Sequence, residues 1–423
     1  MNEMAKVETM FRGYDVRGVY GEDVTDARFT ALGVALYSIS KKFVVGMDFR
    51  APNQALFNAL TKGYSGELLF MGNAPTAAVS FNSKEYGLSI TASHNPAGYA
   101  GCKFIHQRHG FFEKELDSLR RKFEALDGKP IEKNAGGAQV IERKDLLDAY
   151  ADAIPEITKG IFDLGGGAAC AVKRIFPKGK TIFNVPDPIF AKRAPEPKDE
   201  TLGELKKKTI SERQLGFAFD GDADRVMVAA EGKVIGGPIV TAFLCQQNFK
   251  KNDKVVLNIE FSQECKQFIE DDLGMNVVVC PVGTKHVVTN VLKENAVIGA
   301  EPNGHYYIPR HVPDSDGIYA GALLSGASPR ELTEFAKQFK NTVLSDAVKG
   351  KADFAKIEAT VRQIANEVNT MDGVWASFDD GHVLIRSSNT EPKIRVTCEA
   401  DSPKKAQKAM QMAKKLVESC LIK

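Results

Sequence analysis

Apolar and polar positions along the chain follow two alternating rhythms. KFVVGMDF (42–49), LSITA (88–92), GFAF (216–219), KVVLNIEF (254–261), NVVVC (276–280) and AVIGA (296–300) are rich in β-branched and aromatic residues, the composition of strands. FFEKELDSLRRKFEAL (111–126) and SQECKQFIEDDL (262–273) instead carry apolar residues every three or four positions, the period of a helix. Strand and helix in succession predict mixed α/β layers rather than a bundle or a sandwich. Near the end, GVWASF–DDG–HVLIR sets Asp-Gly between two strand-like runs, a hairpin signal. After KIRVTCEA, a last helix is opened by Ser402 and Pro403.

With 423 residues the chain exceeds a single core, since domains run to about 100–200 residues. Three stretches read as junctions: GKPIEKNAGGA (128–138), EGKVIGGP (231–238) and LSGASPREL (324–332), the last with Ser328 as N-cap and Pro329 at the first helical position. The blocks they suggest are 1–138, 139–235, 236–328 and 329–423: three similar mixed α/β domains, then a smaller C-terminal α+β domain. No short-period repeat or low-complexity segment interrupts them.

A net charge of +2 gives no field that would gather nucleic acid or an anionic membrane, so neither partner is expected. The longest apolar runs, VVLNI and NVVVC, fall far short of the roughly 20 residues of a spanning helix. MNEMAKVETM carries charges where a signal peptide would be apolar, so a cytoplasmic protein is expected. Seven scattered cysteines without a C-x-x-C pair suit neither a disulfide framework nor a zinc knuckle. They read as small apolar filler, including Cys102.

Candidate chemistry gathers in four places. ITASHNP (90–96) puts Ser93 and His94 at the end of a strand, where a polar turn is the plain alternative. In GFAFDGDADRVMV (216–228), Asp220, Asp222 and Asp224 alternate, so their carboxylates can converge on one hard cation such as Mg²⁺ if the chain curves around it. A solvated acidic turn is the alternative. An EF-hand would need glycine where Arg225 stands, and a haloacid-dehalogenase-type phosphatase would not place Asp224 where it is. RSSNTEPKIR (386–395) assembles Arg386, Ser387, Ser388, Asn389 and Thr390, with Arg395 nearby, into the chemistry of a phosphate cradle or, more simply, a polar connection. GAEPNGHYY (299–307) presents Glu301, Asn303 and His305 from a Gly/Pro turn, donors and acceptors suited to sugar hydroxyls.

Taken in order, these stretches resemble the α-D-phosphohexomutase superfamily. FRGYDVRGVYGEDVT (11–25) is similar to the opening of its phosphomannomutase/phosphoglucomutase branch. TASHNP resembles its phosphoserine loop, DGDADR its Mg²⁺ loop, GAEPNGH its sugar loop and RSSNTEP its phosphate-binding loop; PEP (195–197) and VGTKHV (282–287) are smaller echoes. The resemblance implies a four-domain, heart-shaped enzyme with a central cleft. It also implies interconversion of hexose 1-phosphate and hexose 6-phosphate through phosphoserine and a bound hexose 1,6-bisphosphate, which is intermediate and activator.

By motif position, Ser93 carries the phosphoryl group and completes a Mg²⁺ shell with Asp220, Asp222 and Asp224, one ion per site. Arg17 and Arg225 neutralise transferring charge, and His94 positions phosphate. Lys103 falls where the family has a lysine proposed as general acid/base, and a lysine surrounded by cations can have its pKa lowered for that work. Tyr14, Lys285, Glu301, Asn303, His305, Arg386, Ser388, Asn389, Thr390 and Arg395 are implied to contact the sugar phosphate. A monomer or weak homodimer, and a closing movement of residues 331–423, complete the expectation.

Some positions depart from the family's pattern: Ala100 for a common Asn, Asn303 for a common Ser, Glu260 where a basic residue is frequent, and VVGMDFRA (44–51) for a GRDGR-like stretch, keeping Arg50. YDVRG points to mannose and glucose phosphates; phosphoglucosamine mutase is the alternative. A metal-dependent phosphatase, a non-catalytic sugar-phosphate binding protein and a serine hydrolase are weaker readings, the last because no G-x-S-x-G elbow surrounds Ser93.

Overall fold

The computed structural model describes residues 10–129, 137–177, 180–388 and 392–422. By packing, the chain forms two compact units, Met1–Gly237 with Asn303–Thr333, and Pro238–Pro302 with Glu334–Lys423.

The first unit begins with a seven-stranded mixed sheet of β1 (Asp15–Val19), β2 (Lys42–Met47), β3 (Glu67–Asn73), β4 (Tyr86–Ile90), β5 (Tyr99–His106), β6 (His109–Gly110) and β7 (Gln139–Glu142). Its order is β1-β5-β4-β2-β3-β7, with β6 on β5. β2 is parallel to β3 and β4, whereas β5 is antiparallel to β4 and β1. In β2 only Lys42 is exposed, which explains its unbroken apolar run: a central strand covered on both faces needs no polar alternation.

The helices Asp26–Tyr37 and Asn53–Gly63 pack against each other. At Gly33 and Gly63 a Cβ would lie 2.4 and 1.9 Å from backbone oxygens of the facing helix, so only glycine permits this approach. Phe29, Leu32, Leu56 and Leu60 join Val45, Leu88 and Phe104 in one core. Each such side chain contributes about 1.5–3 kcal/mol by burial.

A second sheet holds β8 (Ile161–Asp163), β9 (Thr181–Ile182), β10 (Gly216–Phe219), β11 (Val226–Ala230) and β12 (Lys233–Ile235), ordered β12-β11-β10-β8-β9. β10 is parallel to β8 and antiparallel to β11. The unit also contains the antiparallel strands Tyr306–Ile308 and Val312–Ser315 and the helix Gly317–Leu324, whose N-terminus is capped by the Asp316 carboxylate.

In the second unit, strand Lys254–Asn258 lies parallel between Asn276–Cys280 and Ile298–Ala300. A separate five-stranded antiparallel sheet runs Thr342–Lys349, Lys393–Ala400, Gly381–Ser387, Val374–Phe378, Glu367–Asn369. The helix Pro403–Ser419 buries Ala406, Met410, Ala413 and Val417, spaced to form one stripe.

The expected mixed α/β architecture is therefore present. β7 pairs in parallel with β3, so the first sheet extends past the junction expected at 138. Of GKPIEKNAGGA, residues 130–136 lie outside the described residues. EGKVIGGP is not a linker, because it contains β12 and the start of the helix Gly237–Asn248. Residues 303–333 pack in the first unit. The cause is hydrogen bonding: Val226 N–H donates to Gly304 O at 3.0 Å and Ser315 Oγ to Asp224 O at 2.7 Å. The predicted helix at 262–273 is α-helical only over Gln263–Gln267 and continues as a π-helical stretch, Phe268–Asp272. All seven cysteines are buried and free; burial pushes the Cys102 thiol well above its ordinary pKa, consistent with packing. Among the described residues no helix is long and apolar enough to cross a membrane.

Candidate active site

Ser93 follows β4 and Asp220 follows β10, each at the carboxyl end of a strand that has a parallel neighbour. Ser93 sits at φ 50°, a left-handed conformation that a non-glycine residue holds only when its surroundings impose it. Its N–H donates to Thr91 Oγ1 at 2.8 Å, and its carbonyl accepts from Arg50 Nη2 at 2.6 Å. The hydroxyl lies 3.1 Å from Asp220 Oδ2 and 3.2 Å from His94 Nδ1.

The two loops touch through backbone. At Gly221 a Cβ would stand 2.4 Å from Ser93 O. A Gly221→Ala variant is therefore expected to separate the loops, with a stability loss of about 1–3 kcal/mol seen in denaturant unfolding and a much larger fall in turnover. Turnover equal to wild type would show that the contact is dispensable.

Ala223, at φ 61°, bends DGDADR so that alternate residues turn inward. Oxygens of Asp220, Asp222 and Asp224 all lie within 4.8 Å of one another, and all three residues are buried. Asp222 Oδ2 accepts from Thr76 Oγ1 and Lys103 Nζ, both at 2.6 Å, while buried Asp222 Oδ1 and Asp224 Oδ1 have no hydrogen-bond partner among the described residues. Burial, then the neighbouring charges of Asp224 and Asp222, raise the Asp220 carboxyl well above its ordinary pKa. Three converging carboxylates, two of them with a buried oxygen lacking a hydrogen-bond partner among the described residues, suit a hard divalent cation held by oxygen ligands.

Lys103 corrects an expectation. It reaches Asp222 and Asp224 at 2.6 Å each, rather than standing among cations. Burial opposes its charge, but these two carboxylates prevail and raise its pKa. Arg17, opposite Gly101 in the β1–β5 register, donates to Asn95 Oδ1 at 2.7 Å and pairs with Asp15. Arg225 Nε donates to His305 Nε2 at 3.2 Å, and His305 Nδ1 faces Asn303 Oδ1 at 2.8 Å. His305 Nε2 also lies 3.5 Å from Asp224 Oδ1. Burial, then Arg225 and Arg17, hold His94 far below its ordinary pKa, so it is neutral beside Ser93. Tyr14 is half-buried just ahead of β1.

The first unit thus gathers Ser93, His94, Lys103, Arg17, the aspartate trio, Arg225, Asn303 and His305. Beside Arg225 and Asn303 opens a cavity of about 500 Å³, lined also by Glu196, Lys198 and Asp199. Glu196 of the PEP echo lies 3.9 Å from Arg225.

The second unit contains a separate group. Glu301 Oε1 accepts from Asn258 Nδ2 at 3.0 Å and Gly283 N–H at 3.2 Å, next to the helix that carries Lys285. Arg386 is 3% exposed; its Nε donates to Asp372 Oδ2 at 3.1 Å, and its buried Nη2 has no hydrogen-bond partner among the described residues. An anion would satisfy that group. Ser388 N–H donates to Lys393 O, and Arg395 is exposed opposite Arg386 in the strand register. Asn389 and Thr390 lie outside the described residues. Glu260 Oε1 accepts from Thr397 Oγ1 at 3.1 Å.

Sequence reasoning missed Asp48, Thr76, Thr91 and Arg193, and gave Arg50 no role. Arg193 forms a buried pair with Asp163 at 3.0 Å and holds the carbonyl of Phe219, immediately before Asp220. A buried acidic–basic pair stands beside each loop: Asp163 and Arg193 are 30 residues apart, and although Asp48 and Arg50 are close in sequence, the groups Arg50 holds are not.

Known proteins place this geometry in a family. Models of phosphoglucomutase/phosphomannomutase α/β/α domain I, domain III and the C-terminal domain match residues 8–128, 235–342 and 336–416. A Methanocella arvoryzae protein named "Probable phosphoglucosamine mutase" is 32% identical over 97% of this chain and 98% of its own. The "Phosphoglucomutase/phosphomannomutase" of Thermococcus kodakarensis is 28% identical over 97% and 99%. In fold, the chain is similar to a phosphoglucomutase/phosphomannomutase family protein from Burkholderia thailandensis, with TM-score 0.83, 21% identity and 97% of each chain covered. It is also similar to the Aspergillus fumigatus N-acetylphosphoglucosamine mutase solved with GlcNAc-6P and magnesium, with TM-score 0.62, 14% identity, and 98% and 97% covered. The chain belongs to the phosphoglucomutase/phosphomannomutase family of the α-D-phosphohexomutase superfamily.

Proposed function

We propose that Ser93, as phosphoserine, exchanges its phosphoryl group with a hexose monophosphate, interconverting the 1- and 6-phosphates through a hexose 1,6-bisphosphate. The observation that carries this reading is the Ser93 hydroxyl 3.1 Å from Asp220, within a buried trio of carboxylates. In the first transfer, the bond between phosphorus and Ser93 Oγ breaks as the free sugar hydroxyl bonds to phosphorus. In the second, the other phosphoryl group returns to Ser93, so no phosphate is lost.

Asp220, Asp222 and Asp224 would hold Mg²⁺, which when bound supplies positive charge against the transferring group's oxygens. Arg17 and Arg225 add fixed positive charge on the same unit, and neutral His94 offers Ser93 a ring nitrogen without a competing charge. Lys103 is the candidate to take the sugar hydroxyl's proton. Once Asp222 and Asp224 are committed to a cation, Lys103 loses the partners that hold its own proton in place. Arg386 and Ser388, with Asn389 and Thr390, supply the groups for the non-reacting phosphate. Glu301, Asn303 and His305 supply hydrogen bonds for sugar hydroxyls.

The YDVRG opening supports mannose and glucose phosphates as substrates, which differ only at C2. A site that does not hydrogen-bond that hydroxyl specifically separates them by roughly 1–3 kcal/mol at most. The name of the Methanocella arvoryzae relative favours a second reading, glucosamine phosphates. Coupled assays on mannose, glucose and glucosamine 1-phosphates, with and without EDTA, distinguish them. Turnover of the first two, abolished by EDTA, is the expected result. Turnover of glucosamine 1-phosphate alone would replace the first reading by the second.

A further inference from the structure

Both backbone polar groups of Ser93 end on one buried ion pair. Asp48 and Arg50 follow β2, and their side chains are fully buried, 3.3 Å apart. Thr91 Oγ1 accepts the Ser93 N–H at 2.8 Å and donates to Asp48 Oδ2 at 2.7 Å. On the other side, Arg50 Nη2 donates to Ser93 O and Asn95 O, both at 2.6 Å. Nη1 donates to Pro96 O at 2.8 Å and Tyr99 O at 3.4 Å, and Nε to Asp48 Oδ2. Every N–H of the guanidinium is thereby used. The face of Phe190 lies 4.9 Å from the guanidinium carbon, and Asn53 Nδ2 donates to Asp48 Oδ1 at 2.6 Å.

We propose that Arg50 is a positioning residue for phosphoryl transfer: with Asp48 and Thr91 it closes a ring of hydrogen bonds around the Ser93 peptide groups and imposes the left-handed backbone that aims the hydroxyl at Asp220. The proposal rests on the reading of Ser93 as the phosphoryl carrier. Arg50 touches no reacting atom, because its donors are spent on carbonyls. The fork itself matters, not the charge. A lysine at this position keeps the pair with Asp48 but has three donors at one point and cannot span the carbonyls of Ser93, Asn95, Pro96 and Tyr99. Without those contacts, a non-glycine residue at φ 50° relaxes toward the ordinary regions and carries the hydroxyl away from Asp220.

The test compares Arg50→Lys and Thr91→Val with wild type. It reads kcat and KM for hexose phosphate, and amide hydrogen exchange at Ser93, with folding followed by circular dichroism. Arg50→Lys is expected to lower kcat about 100-fold, the effect of a displacement near 1 Å, with KM unchanged. Thr91→Val, which removes the partner of the Ser93 N–H but leaves Arg50, is expected to lower kcat less and to speed Ser93 exchange. Wild-type kcat with unchanged exchange in folded Arg50→Lys overturns the proposal, as does a rise in KM at constant kcat. If Arg50→Lys does not fold, Thr91→Val decides: unchanged kcat and exchange overturn the proposal, and the expected pair of changes supports it. If Ser93→Ala retains turnover, the reading of Ser93 fails on its own terms, while exchange at Ser93 still reports whether the ring holds the loop.

Discussion

Replacing Ser93 by alanine is expected to reduce mutase turnover to the uncatalysed background, a loss on the order of 10⁶-fold or more. The hydroxyl is placed against the aspartate trio, at 3.1 Å from Asp220, whereas the Thr76 hydroxyl is committed to Asp222 Oδ2. The fold should survive. Ser93 is 2% exposed, its N–H and carbonyl are held through backbone contacts, and alanine keeps both. Steady-state assays with hexose 1-phosphate and bisphosphate provide the check. A metal-dependent phosphatase using an aspartate nucleophile would keep its activity in the same variant.

The second large effect concerns the acidic loop and has two opposite signs. Asp220→Asn is expected to abolish metal-dependent turnover while raising the thermal midpoint of the metal-free protein. Asp220, Asp222 and Asp224 crowd within 4.8 Å, and Lys103 answers only two of them. Removing the Asp220 charge relieves repulsion in the metal-free state, and each kcal/mol gained corresponds to roughly 2–4 °C in a domain of this size. The pH dependence has the matching sign. The raised carboxyl of Asp220 favours the protonated folded form, so its stabilising contribution is full below the ordinary aspartate range and is lost as pH rises through the raised value. Adding Mg²⁺ should lift the midpoint of wild type and leave that of the variant unmoved. Thermal scans with Mg²⁺ and with EDTA test both signs; equal Mg²⁺ stabilisation of the two proteins would remove Asp220 from the ligand set.

Local patterns in the sequence carried much of the chemistry. Alternating aspartates after GFAF, a serine after a buried strand and an arginine leading a Ser/Asn/Thr loop are all compressed into a few residues, where spacing can be read directly. Long-range pairing was not legible. Lys103 meets Asp222 and Asp224 across 119 and 121 residues, so a lysine expected among cations lies among carboxylates. Arg50 acts on carbonyls 43 to 49 residues away, and carbonyls leave no mark in a sequence. Tertiary pairing is equally silent elsewhere. β7 is a short strand, half polar, whose place on β3 depends on tertiary pairing, and Gly304 and Ser315 are tied to Val226 and Asp224 by one backbone and one side-chain hydrogen bond. Central strands such as β2 were recognised because burial on both faces writes itself as an apolar run.

The central claim is covalent: one phosphoryl group resides on Ser93 and is handed to the sugar. Intact-mass and peptide mass spectrometry, after incubation with hexose 1,6-bisphosphate and Mg²⁺ and again after a chase with hexose 1-phosphate, tests it directly. The predicted result is a single phosphoryl group mapped to Ser93 that disappears on the chase as bisphosphate forms. A protein that turns over substrate with Ser93 never modified, or with the group mapped to another residue, would contradict it.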